Sequence, residues 1–166
     1  MSLWLNRHVH EGDTLRFHGP HGDCNFSENK ILPENDLYLI GAGTGIYPLY
    51  GIAKEAIYRG FLGRIIFVQV ALNESRVYFV DQLKHLQNQY SNFFYHRVFN
   101  TGTSLNEFEH VGNLEDCLEK VIPDFRSGFF FLCGDPQIVT RVKKFLFLNE
   151  VSLKNIRSDA FVMQQY

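Results

Sequence analysis

At 166 residues the chain has room for one α/β domain or an uneven pair, and its 45% hydrophobic content suits a protein with a real core, not a disordered segment. Sixteen Lys and Arg against 18 Asp and Glu leave a formal charge of −2, which argues against nucleic-acid binding through clustered positive charge. Cys24, Cys117 and Cys133 are odd in number and far apart, unsuited to a disulfide framework and too few for a four-thiolate iron–sulfur cluster; with no apolar run of membrane-span length, they fit a soluble protein of the reducing cytoplasm.

Residues 1–35 differ from the rest and hold four of the seven histidines. The alternating segment Thr14-Leu15-Arg16-Phe17-His18, followed by Gly19-Pro20-His21-Gly22-Asp23, predicts one strand and its exit loop, too little to fold alone. His8 and His10 would share one face of such a strand near His18, His21 and Cys24. That grouping suits a surface strand and loop better than a metal site, and no metal is assigned.

From residue 36 the pattern becomes regular. Leu37-Tyr38-Leu39-Ile40 reads as a buried strand ending at Gly41, and residues 46–59 carry Leu49, Ile52, Ala53, Ala56 and Ile57 at helical spacing before Gly60. A β-branched run over 64–70 predicts a second buried strand, 77–90 a helix and 93–99 a third strand. After a polar loop, 114–121 predicts a short helix, 129–133 a fourth strand and 136–148 a helix. Ala160-Phe161-Val162-Met163 predicts a closing strand. Strand–helix alternation with unbroken apolar strands means α/β: a parallel five-stranded sheet with helices on both faces, over residues 36–166.

Ligands of such sheets bind beyond the carboxyl ends of the strands. The first turn there is Gly41-Ala42-Gly43-Thr44-Gly45-Ile46-Tyr47-Pro48. Its glycines let backbone approach a phosphate at a helix N-terminus, and Pro48 suits a helix's first turn. Ile46 stands where the usual dinucleotide fingerprint has a third glycine, so the turn alone also fits a plain strand–helix connection. A Gly-x-Gly-x-Gly turn could also cradle S-adenosylmethionine, but that reading wants an acid closing the second strand, and Val70-Ala71-Leu72 offers none before Glu74, which sets it aside. The second turn is Cys133-Gly134-Asp135-Pro136, where Gly134 permits close approach, Asp135 can cap a helix and Pro136 can start it. Two such turns on one parallel sheet converge where an extended ligand could lie. Phe129-Phe130-Phe131 is bulk for a central strand, and Arg141, Lys143 and Lys144 form a solvated helix face.

Gly43-Thr44-Gly45-Ile46-x-Pro48, Cys133-Gly134-Asp135-Pro136-Gln137 and the aromatic Tyr166 together resemble the pyridine-nucleotide domain of the ferredoxin–NADP reductase family, its bacterial ferredoxin/flavodoxin reductases above all. Gly12-Asp13-Thr14-Leu15 and Gly19-Pro20-x-Gly22 resemble the last strand and exit of that family's flavin-binding barrel, which makes residues 1–35 a remnant of it. The resemblance implies hydride transfer from NAD(P)H to FAD and electrons onward to ferredoxin or flavodoxin. It implies that Gly41, Gly43, Thr44, Gly45 and Pro48 form the pyrophosphate and ribose turn, that Cys133 with Gly134, Asp135 and Pro136 borders the nicotinamide, and that Tyr166 stacks on the flavin.

Two departures qualify what the resemblance implies. No Arg-x-Tyr-Ser flavin motif is found, so the chain is expected not to hold FAD by itself and to be inactive alone, as a fragment, a truncated relative or one part of a two-chain enzyme with a separate flavin-binding domain. And Leu72, the Asn100-Thr101 region and Asn113 stand where NADP-specific members place arginines around the 2′-phosphate, which makes NADH as well suited as NADPH. The competing reading is a nucleotide-binding partner module without turnover.

Overall fold

The computed structural model describes residues 2–16, 18, 24–27, 31, 35–103 and 106–161. In chain order the elements are α1 (Ser2–His8), β1 (Asp36–Ala42), α2 (Ile46–Tyr58), β2 (Ile65–Ala71), α3 (Val80–Gln89), β3 (Phe93–Phe99), β4 (Glu109–Val111), α4 (Leu114–Val121), β5 (Gly128–Gly134), α5 (Pro136–Leu148) and β6 (Ile156–Ala160).

Successive strand residues point to opposite faces, and here both faces are apolar. Leu37, Leu39, Ile65, Phe67, Phe129 and Phe131 face one core; Tyr38, Ile40, Ile66, Val68, Phe130 and Leu132 face the other. Helices α2 and α3 cover the first through Leu49, Ile52, Ala53, Leu83 and Leu86. Helices α4 and α5 cover the second through Leu114, Leu118, Val142 and Leu146. The strands form one sheet in the order β4-β3-β2-β1-β5-β6, every neighbouring pair parallel. The chain runs outward from β1 to β4, then crosses back to place β5 on the other side of β1. The crevice between β1 and β5 is therefore the point where strand order reverses.

Local chemistry closes α2 and opens α5 where the sequence predicts. Gly60, with φ +72°, closes α2: its N–H donates to the Ile57 carbonyl at 2.9 Å and that of Phe61 to the Ala56 carbonyl at 2.9 Å, a Schellman arrangement. Helix α5 opens on Pro136 with the Asp135 carboxylate accepting from the Gln137 and Ile138 amides at 2.8 and 3.3 Å.

Three expectations are corrected. The sheet has six strands, not five, because β4 pairs with β3 inside what reads as a polar loop. The closing strand is Ile156–Ala160 rather than 160–163; Phe161 lies past its end, and Val162 and Met163 lie outside the described residues. No strand is found among the described residues of 1–35. Residues 13–16 have no ladder partner, and an unpaired strand has nothing to hold it. His8 instead ends α1, and His10 sits in a turn whose amide donates to Asp13 at 2.8 Å. Phe17 and residues 19–23 lie outside the described residues. Among the described residues no three His, Cys, Asp or Glu side chains come together as a metal-binding group. Phe26 and Ile31 are buried against the α2 and α3 core, with Phe26 edge-on to Phe61 at 5.9 Å.

Candidate nucleotide-binding site

The two turns singled out in the sequence meet at the β1–β5 crevice. Gly41 and Cys133 are register partners. A Cβ on Gly45 would overlap the Cys133 carbonyl, and one on Gly134, whose φ is +118°, would overlap the carbonyl of Ala42. Each turn thus occupies the space that the other's missing side chain leaves. Gly43 is different: its φ is +57°, it is exposed, and a Cβ there would meet nothing within 4 Å. Gly41 serves packing, since a Cβ on it would come within 2.9 Å of Leu49 Cδ1.

Next to Gly43 lies a cavity of about 390 Å³. Its floor is Ala42 with Gly43, Val70-Ala71-Leu72 and Val98; Asn100, Leu114, Asp135 and Ile138 line its far side, and Arg76, Tyr78 and Arg141 complete it. It sits beyond the carboxyl ends of β1, β2, β3 and β5, on the side covered by α4 and α5. No side chain caps α2, whereas Asn113 caps α4 by accepting from Glu115 N at 2.9 Å and Asp135 caps α5. The 3₁₀ turn Gly43–Gly45 runs straight into α2, where the Ile46 amide donates to the Thr44 carbonyl and Pro48 has none, and no side chain competes with an anion for the other amides of the turn.

Of the residues predicted for the site, Gly43, Leu72, Asn100 and Asp135 line this cavity. Thr44 and Pro48 are exposed in the same turn and the first turn of α2, and Gly45 is buried beneath them. Gly134 and Pro136 flank Asp135. Asn113 lies at the rim, its Oδ1 accepting weakly from Arg141 Nη2 at 3.4 Å. Cys133 does not line the cavity: it is 1% exposed, turned to the α2 and α3 side, with its Sγ 3.7 Å from that of Cys24. Tyr166 lies outside the described residues.

The charges were less legible. Arg141 Nε donates to Glu115 Oε1 at 2.6 Å and a second guanidinium nitrogen binds Glu115 Oε2, which holds the Glu115 carboxyl below the usual range. Arg76 is exposed at the cavity and pairs with no described residue. Arg97, the other arginine near β2 and β3, is buried against Glu109 on the α3 side and faces away. Sequence spacing separates these three poorly, because a strand's period decides which face Arg97 takes and a loop decides where Arg76 goes.

A parallel sheet whose strand order reverses beside an uncapped helix N-terminus, with two glycine turns interlocked there, defines a nucleotide-binding α/β domain. The family model for the oxidoreductase NAD-binding domain matches residues 39–144, and the chain belongs to that family. It is 27% identical over 158 residues to the ferredoxin–NAD(P)(+) reductase component of the naphthalene 1,2-dioxygenase system of Pseudomonas putida, covering 95% of this chain and 47% of that protein. It is 27% identical over 150 residues to a flavohemoprotein of Halalkalibacterium halodurans, covering 88% of this chain and 36% of that protein. The chain thus spans less than half the length of either relative. Among solved structures, the FAD/NAD-binding domain of nitric oxide dioxygenase from Vibrio cholerae superposes with a TM-score of 0.78 at 21% identity, over 96% of this chain and 63% of that one. The Amycolatopsis cytochrome P450 reductase superposes with a TM-score of 0.75 at 23% identity, over 86% of this chain and 42% of that one. These two likenesses concern the fold. No helix among the described residues is long and apolar enough to cross a membrane.

Proposed function

We propose that this chain is the NAD(P)H-binding part of a flavin-dependent reductase, which takes hydride from NAD(P)H to FAD and sends electrons on to a ferredoxin or flavodoxin in the cytoplasm. The observation that carries the reading is the β1–β5 junction: two interlocked glycine turns, with the exposed Gly43 and the uncapped α2 beside a cavity sized for part of a dinucleotide. Gly43, Thr44 and Gly45 would hold the pyrophosphate and adjoining ribose against the α2 amides. Leu72 would lie under the adenosine, and Cys133 with Gly134 would border the nicotinamide. FAD would be held mainly by residues beyond these 166, with residues 1–35 as the end of that flavin domain and Tyr166 stacked on the flavin ring. The flavin supplies the redox chemistry when bound, and this chain orients the nicotinamide and keeps the phosphates neutralised.

The test is a calorimetric titration of NADH into the folded 166-residue chain and into Gly43→Val. Nothing blocks a side chain at Gly43 except its positive φ, which costs about 1–2 kcal/mol. The variant should therefore fold and yet lose nucleotide affinity at least about tenfold, because its side chain fills the place of the phosphate. Unchanged affinity in a folded Gly43→Val would move the site elsewhere. Gly45→Ala is the contrast: it collides with the Cys133 backbone and should fail in folding before binding can be measured.

A further inference from the structure

Cys24 and Cys133 are 109 residues apart in sequence, yet their sulfurs lie 3.7 Å apart, and neither is in a disulfide. Cys133 closes β5 in the core, while Cys24 is half-buried and the more accessible of the two. The third thiol, Cys117, is buried in α4 in the opposite core and plays no part. To reach the disulfide bond length of about 2.05 Å the two sulfurs need to approach by about 1.7 Å, within the reach of a side-chain rotation at Cys24, which is half-buried against the core.

We infer that Cys24 and Cys133 form an oxidisable dithiol that hydrogen peroxide converts to a disulfide within one chain. The Cys24 thiol gives up its proton and its sulfur attacks one peroxide oxygen; the S–O bond forms, the O–O bond breaks, and the departing hydroxide takes up that proton as water. Cys24 is then a sulfenic acid. The Cys133 sulfur attacks it, the S–S bond forms, the S–O bond breaks, and hydroxide leaves with the Cys133 proton as a second water. Two thiols and one peroxide give one disulfide and two waters. The order follows from the surroundings: Cys133 is buried, with contact with Cys24 and then burial pushing its thiol up, whereas Cys24 is half-buried, so peroxide reaches Cys24 first and Cys133 resolves. A nearby resolving thiol also spares Cys24 further oxidation.

The bond has a consequence at the nucleotide site, and this second half rests on the function proposed above. The Cys133 carbonyl lies where a Cβ of Gly45 would be, so a shift of Cys133 toward Cys24 is passed to the glycine turn, and the oxidised chain should bind NADH more weakly.

The experiment treats the 166-residue chain with a slight excess of peroxide, counts thiols after denaturation and maps the linked peptides. Free thiols should fall from three to one with a single Cys24–Cys133 cross-link, and dithiothreitol should restore all three. Cys117→Ser should still form the link, and Cys24→Ser should keep both of its thiols. A link through Cys117, a link between chains, or sulfinic acid on Cys24 with Cys133 still free would each overturn the inference. A linked chain with unchanged NADH affinity would overturn the coupling alone. A reduced chain that binds no NADH would overturn the function while leaving the dithiol intact.

Discussion

Arg76 and Arg141 show how differently two guanidiniums at one cavity can be disposed. Arg141 is already paired with Glu115, in a bond that also props the cap of α4, whereas Arg76 stands in water without a partner among the described residues. A 2′-phosphate reaching this cavity would thus meet one exposed cation, worth about 0–1 kcal/mol under solvent screening. NADPH should bind no more than about tenfold better than NADH, equal to ~1.4 kcal/mol. Arg76→Ala should erase that margin and leave NADH binding alone, and Leu72→Arg, on an exposed residue beside the cavity, should widen it. Asn113→Arg is a poorer route to the same end, because it removes the α4 cap at a cost of about 1 kcal/mol. Titrating both nucleotides at low and moderate salt decides the point. A native NADPH preference well above tenfold would mean that Arg141 leaves Glu115 for the phosphate.

Among the elements, the strands that the sequence hides are the polar ones. The central strands announce themselves by continuous apolar runs, and α4 and α5 by spacing and caps. Glu109-His110-Val111 has neither signal. Its place is set by partners on β3: Glu109 pairs with buried Arg97, and His110 Nε2 lies 3.1 Å from His96 Nδ1. Ile156-Arg157-Ser158-Asp159-Ala160 is likewise a polar strand beside an apolar run that draws the eye a few residues too far. Helix α3 begins at Val80 instead of Val77 because Phe79, with φ 64°, is left-handed and packs its ring on Tyr47 and Tyr50. At the site, the glycine turns were legible because backbone geometry restricts which residues can stand there. Arg76 and the Cys24–Cys133 contact were not, since only tertiary packing brings them in.

The His96–His110 pair carries a pH dependence of its own. Burial, then the neighbouring His110, lowers His96 from 6.5 to about 4, and burial, then Lys120, lowers His110. Well above pH 6.5 both are neutral folded or unfolded. As pH falls from there toward about 4 the unfolded chain takes up protons that the folded one refuses, so stability drops through that window, by on the order of 2 kcal/mol. Urea midpoints at about pH 7.5 and 5 should differ accordingly, and the double variant His96→Gln, His110→Gln should flatten the difference. A midpoint shift that survives in the double variant would place the titrating group elsewhere.

At the scale of the whole molecule, the chain is a nucleotide-binding layer that aligns with less than half the length of its curated relatives. The expected strand of a flavin barrel is not present among the described residues of 1–35, which supply instead a short helix and the buried Phe26 and Ile31. The purified 166-residue chain should accordingly be colourless and without diaphorase activity while still binding NADH. An absorbance spectrum with near-stoichiometric FAD would overturn that expectation, and so would NADH-dependent dye reduction without added flavoprotein.

The outer edge at β4 is a poor place for another strand to join this sheet. An open strand edge invites a neighbour to continue the ladder, but β4 offers only three residues, and it carries the inward-turned Glu109 held by Arg97. Strand addition there would have few amide and carbonyl groups to pair with, and any rearrangement to extend the edge would expose a buried ion pair. The opposite edge of the sheet is β6, five residues long, which leaves it with more ladder to offer than β4.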